Sequence, residues 1–77
     1  MKSDEKILKE IGDRLKKLRI EKGYKSYESF AVDNDLSRMQ YWRMETGISN
    51  ITIKSLTRIL RIYDITVEEF FEIKLTT

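Results

Sequence analysis

The chain has 77 residues, of which 15 are Lys or Arg and 13 are Asp or Glu; it is 40% hydrophobic, carries a formal charge of +2, and contains neither histidine nor cysteine. This length supports one small domain with a modest core, and the composition is that of a folded chain rather than a disordered one. Disulfides, thiolate chemistry and the usual zinc ligands are excluded, and the absence of an apolar run long enough for a bilayer or a secretory signal predicts a cytoplasmic protein with no membrane contact.

The charge is unevenly placed, with nine Lys/Arg against five Asp/Glu in residues 1–25 and six against eight in residues 26–77. Ser3-Asp4-Glu5 reads as a helix start, with a cap and two acids near the positive end of the dipole. From there Ile7, Leu8, Ile11, Leu15 and Leu18 recur at helical spacing, and Gly23 ends the run. Ser26 caps a short second helix whose inward side is Tyr27, Phe30 and Ala31. Asp33-Asn34-Asp35 interrupts it with residue types that tolerate left-handed backbone, so a tight turn leads directly into Leu36.

Ser37 followed by Gln40 is a capping-box signature, and Leu36 with Tyr41 is placed as a hydrophobic staple, so a third helix starts at Ser37 and stops before Gly47. Tyr41 and Met44 share its inner side, while Arg38, Met39, Trp42 and Arg43 point outward. Two short helices joined by a short turn form a helix-turn-helix. Thr52 caps a fourth helix with a buried stripe of Ile53, Leu56, Ile59, Leu60 and Tyr63, which Asp64-Ile65 breaks. Thr66 with Glu69 forms another capping box and Ile65 with Phe70 another staple, giving a fifth helix from Thr66. The tail from Phe71 to Thr77 reads either as a helix end or as a short strand, because Phe71, Ile73 and Leu75 alternate with charged residues.

Several of these pieces, in this order, resemble one family. Ile11-Gly12-Asp13-Arg14-Leu15-Lys16-Lys17-Leu18-Arg19, Lys22-Gly23, Phe30-Ala31, Leu36-Ser37-Arg38, Met44-Glu45-Thr46-Gly47 and Ile65-Thr66-Val67-Glu68-Glu69-Phe70-Phe71 are similar to the Xre or Cro/CI-type helix-turn-helix domain of phage repressors and bacterial regulators. The resemblance implies an all-α, five-helix, lambda-repressor-like DNA-binding domain over residues 1–77. Its helix-turn-helix would occupy about residues 26–46, and helices 1, 4 and 5 would form the core behind it. Three departures stand out: the loop before helix 2 is one residue longer, Asp35 and Asn34 replace a glycine and an apolar residue in the turn, and Ile48-Ser49-Asn50 after helix 3 is not basic.

Carried over, the resemblance places helix 3, from Ser37 to Thr46, in the major groove of double-stranded DNA. Arg38, Met39, Trp42 and Arg43 fall where the family touches base edges or nearby backbone. Ser26 and Tyr27 fall at a phosphate-facing helix start, and phosphate contact after helix 3 would fall to backbone amides and to Asn50 or Thr46. Arg19 and Glu45 fall where many members tie helix 1 to helix 3 by an ion pair. The expected function is sequence-specific DNA binding by a homodimeric transcriptional regulator, with tail residues 72–77 and the side chains of Phe71, Ile73 and Leu75 as the candidate dimer element. The rival is a protein-interaction module on the same fold, such as an antitoxin or anti-regulator, binding through Trp42 and Met39. Glu68-Glu69 is explained by the helix 5 cap, so neither an enzyme, a cofactor nor a small-molecule site is expected.

Overall fold

A computed structural model describes residues 2–48 and 50–75, with side chains over residues 4–48 and 50–71. The described residues form five helices: α1 Lys2–Glu21, α2 Tyr27–Asp33, α3 Arg38–Thr46, α4 Ile53–Ile62 and α5 Val67–Leu75. None of them is long and apolar enough to cross a membrane.

The helix starts follow the chain's hydroxyl residues. Ser26, Ser37 and Thr52 stand in extended backbone as N-caps, each accepting a hydrogen bond from the amide three residues on. At α5 the box is reciprocal, with the Thr66 amide donating to Glu69 Oε1 at 2.9 Å and the Glu69 amide to Thr66 Oγ1 at 3.0 Å. At Ser37 only the hydroxyl half is made, at 3.3 Å. The start of α1 differs from the sequence expectation: the helix already includes Lys2, so Ser3 lies inside its first turn. A serine there costs only a few tenths of a kcal/mol, too little to force the backbone out of the helix.

The stops share one device. After each of α1 to α4 a residue in left-handed backbone closes the helix: Gly23 (φ 103), Asp35 (φ 56), Gly47 (φ 74) and Asp64 (φ 57). The following amide then reaches back to the last turn, as in Leu36 N to Ala31 O at 2.8 Å and Ile65 N to Leu60 O at 3.0 Å. This pattern satisfies carbonyls that the end of a helix leaves open. It also reverses the chain in few residues, which is why α2 and α3 pack as a tight helix-turn-helix.

Every helix contributes to one core: Ile11 and Leu15, Phe30 and Ala31, Tyr41, Leu56, Ile59 and Leu60, and Phe70. Phe30 is its aromatic centre, stacked on Tyr63 at 5.2 Å, tilted against Tyr41 at 4.9 Å and edge-on to Tyr24 at 5.4 Å. Three residues of the expected stripes fall outside it, the half-buried Leu8 of α1 among them. Ile7 is 52% exposed at the edge of the α1 stripe, and Ile53, in the first turn of α4, is 65% exposed.

The expected helix 1–4–5 core behind the helix-turn-helix is present, and Phe30, Ala31 and Tyr41 of α2 and α3 contribute to it as well. Although side chains from those helices share the core, the backbone of α1 approaches α3 and α2, and α4 pairs with α5. The tail is helical to Leu75, which resolves the helix-or-strand alternative. A single short strand would have had no neighbour to satisfy its backbone, whereas the capped α5 satisfies its own. The candidate dimer residues Ile73 and Leu75 have side chains outside the described residues, as has the whole of the 72–77 tail, while Phe71 is half-buried against Phe70.

Candidate nucleic-acid interface

Helix α3 is fixed from behind at three levels. The first is the buried pair of Arg19 and Glu45, 4% and 8% exposed. Arg19 Nε donates to Glu45 Oε2 at 2.7 Å and Nη2 to Oε1 at 3.0 Å, while Nη1 donates to the Tyr24 carbonyl at 2.9 Å. The guanidinium is therefore tied to α3 and to the loop after α1 at once. The Glu45 hydrogen bonds hold its pKa above the ordinary arginine value, so its charge persists throughout the folding range of pH.

The second level is steric. Gly12 is buried where α1 crosses the end of α3, and a Cβ there would overlap the Glu45 carbonyl oxygen and lie 2.8 Å from the Met44 oxygen. Only a residue without a side chain lets the two backbones come so close. Gly47 does the same from the other side, since a Cβ on it would meet Lys9 Cα at 2.9 Å. A glycine inside an amphipathic helix is the sequence signal for such a close approach at Gly12.

The third level is Tyr41, buried beside the half-buried Tyr63. Both hydroxyl oxygens are buried, and among the described residues neither has a hydrogen-bond partner. Burial, with the Glu45 carboxylate adding to it, drives the Tyr41 phenol far above its ordinary value, and burial pushes Tyr63 up to about 12. An unfolded tyrosine ionises near pH 10. The folded state therefore resists an ionisation that the unfolded state accepts, and stability is lost as pH rises above about 10 toward about 12. Urea titrations across this range, read with tyrosinate absorbance, should show ionisation and unfolding together. The Tyr63→Phe variant should be at least as stable at neutral pH, because the hydroxyl has no partner to lose, and should show a shallower alkaline loss. Equal alkaline loss in both proteins would show that Tyr63 is not the group responsible.

The outer side of α3 presents Arg38, Met39, Gln40, Arg43 and Thr46 to solvent, with Met39 60% exposed. Trp42, expected to stand outward with them, is half-buried instead. Its position lies one helical step from Tyr41, on the flank between the inner and outer sides. The carbonyl of Trp42 accepts from the Thr46 hydroxyl at 2.8 Å. Gln40 was read only as half of a capping box, but its amide side chain is exposed and does not reciprocate the cap.

The remaining expected residues lie around this helix. Ser37 is exposed, and its oxygen caps α3. Ser26 caps α2, with its Oγ 2.9 Å from Ser29 Oγ, and Tyr27 is half-buried against the core. Asn50 borders a cleft of about 230 Å³ with Gln40, Arg43, Met44, Ile51, Thr52 and Ser55. No carboxylate lines that cleft. Among the described residues no three His, Cys, Asp or Glu side chains are grouped to hold a metal ion.

Two characterised proteins are similar to this chain. It is 43% identical over 61 residues to the control protein C.MunI of Mycoplasma sp, an alignment covering 79% of this chain and 82% of the relative. Over 55 residues it is 40% identical to the plasmid copy control protein CopR of Streptococcus agalactiae, covering 71% of this chain and 56% of that longer relative. No family model and no solved structure matches the chain.

Proposed function

The chain belongs to the family of small helix-turn-helix control proteins that includes C.MunI, and from that premise we propose that it binds double-stranded DNA sequence-specifically as a transcriptional regulator. One observation carries the proposal: α3 is immobilised along its inner side by the Arg19–Glu45 pair and the α1 crossing, while its outer residues stay exposed. A rigid helix with free arginines is what reading base edges requires, since each contact depends on its pitch being held.

In this proposal α3 enters the major groove. Arg38 and Arg43 make bidentate contacts to guanine or grip phosphate, and Met39 with the outer edge of Trp42 lies against thymine methyls or sugars. Ser26 and Tyr27 at the start of α2, together with Ser37 and Asn50, contact the sugar-phosphate backbone and set the docking register. Binding is by a homodimer through α5, with Phe71, Ile73 and Leu75 at the interface, on two half-sites about 34 Å apart.

Band shifts on a site selected from random duplexes test this. Arg38→Ala and Arg43→Ala are each expected to weaken binding by about 1–3 kcal/mol, or about 5- to 150-fold, and to relax sequence preference at one position. Unchanged binding by the double variant would overturn the assignment of α3. A protein-interaction module would instead bind its partner with little response to salt, whereas duplex binding must weaken steeply as salt rises.

A further inference from the structure

The loop that follows α3 presents a deficit. From Ile48 through Thr52 it contains no charged residue, although it leaves the end of the helix proposed to lie in the groove, where the phosphate backbone would be close. The fold brings other residues to that place. Gly47, the left-handed stop of α3, is in backbone contact with α1 at Lys9, and Glu5, Lys6, Lys9, Gly47 and Ile48 border one open groove. We infer that Lys6 and Lys9 of α1 form a phosphate-contacting edge beside the end of α3 and supply the positive charge that the α3–α4 loop lacks.

Both lysines are available for this. Lys6 is exposed and makes no ion pair among the described residues. Lys9 Nζ lies 3.2 Å from Asp13 Oδ1, but the two side chains are 65% and 61% exposed. Such a solvated pair contributes at most about 1 kcal/mol, so the ammonium exchanges to a phosphate at little cost. Residues three apart on a helix stand side by side, so the two ammonium groups present one edge. Glu5 opposes them in the same groove, while the facing residues Gly47 and Ile48 are uncharged; the rim as a whole therefore carries one net positive charge. The groove begins at the residue after Thr46 and so continues the exposed side of α3. That continuity favours the backbone of the same duplex over a separate acidic partner.

This inference rests on the proposed DNA binding, and its test separates the two. The experiment measures affinity against salt for the full chain on the selected site and on an unrelated duplex. Each phosphate contact contributes about 0.9 to the slope of log affinity against log salt. Lys6→Gln with Lys9→Gln should lower the magnitude of that slope by about 1.8 and weaken both duplexes by the same factor. Lys6→Gln alone should give half the change, and Glu5→Gln should tighten both. Glutamine at an exposed helix position is nearly neutral for folding, and thermal melts verify that each variant is folded. A wild-type protein that binds with a slope unchanged in the double variant overturns the lysine edge and leaves the DNA reading intact. A wild-type protein that binds neither duplex overturns both.

Discussion

Glu45→Ala is expected to cost about 3–5 kcal/mol of folding stability, because it leaves the Arg19 guanidinium buried without its carboxylate. Arg19 is only 4% exposed, so water cannot replace the two bonds it loses, and the bond to the Tyr24 carbonyl satisfies only one donor. A domain of this size is stable by roughly 4–12 kcal/mol, so the loss approaches the whole margin. Urea unfolding measures it directly. The paired replacement Arg19→Met with Glu45→Leu should recover most of the loss, because removing both charges also removes the desolvation cost of burying them. A loss below about 1 kcal/mol for Glu45→Ala would mean that Arg19 finds water, and that the pair does not anchor α3.

Gly12→Ala is expected to destabilise by about 1–3 kcal/mol, the reverse of its effect in an exposed helix. Alanine in a helix interior is favoured over glycine by about 1 kcal/mol, so propensity alone predicts a gain. The added methyl would overlap the Glu45 carbonyl oxygen and sit 2.8 Å from both the Glu45 carbon and the Met44 oxygen. These are backbone atoms of α3 and cannot swing aside as a side-chain end can. Relief requires α1 and α3 to move apart, which also stretches the Arg19–Glu45 pair. Urea unfolding should therefore show reduced stability, with amide chemical shifts changing around Met44 and Glu45. A more stable variant would show that the crossing is looser than its geometry indicates.

Most of the local architecture was legible in the chain. The starts at Ser26, Ser37, Thr52 and Thr66, the stops at Gly23 and Gly47, and the breaks at Asp33-Asn34-Asp35 and Asp64 all follow from hydrogen bonds and backbone freedom spanning five residues or fewer. The helical stripes placed Leu15, Phe30, Leu56, Ile59, Leu60 and Phe70 inside, where they are. The errors lie at the edges of the stripes. Periodicity identifies a side of a helix but not how much of its length another helix covers, so Ile7 and Ile53 were expected inside and Trp42 outside.

The sequence by itself determined the five helices, their boundaries to within a residue or two except for the end of α5, and the residue types available to the outer side of α3. Only the tertiary structure decided what holds that helix. Arg19 and Glu45 are 26 positions apart, and no local spacing states that they meet; the family resemblance suggested the pair, and folding of α1 across α3 supplies its geometry. The same crossing gives Gly12 its role and brings Lys6 and Lys9 beside a loop that has no charge of its own. Local rules act over one or two turns of chain, whereas contact between α1 and α3 depends on how the reversals at Gly23 and Asp35 and the length of α2 between them add up in space.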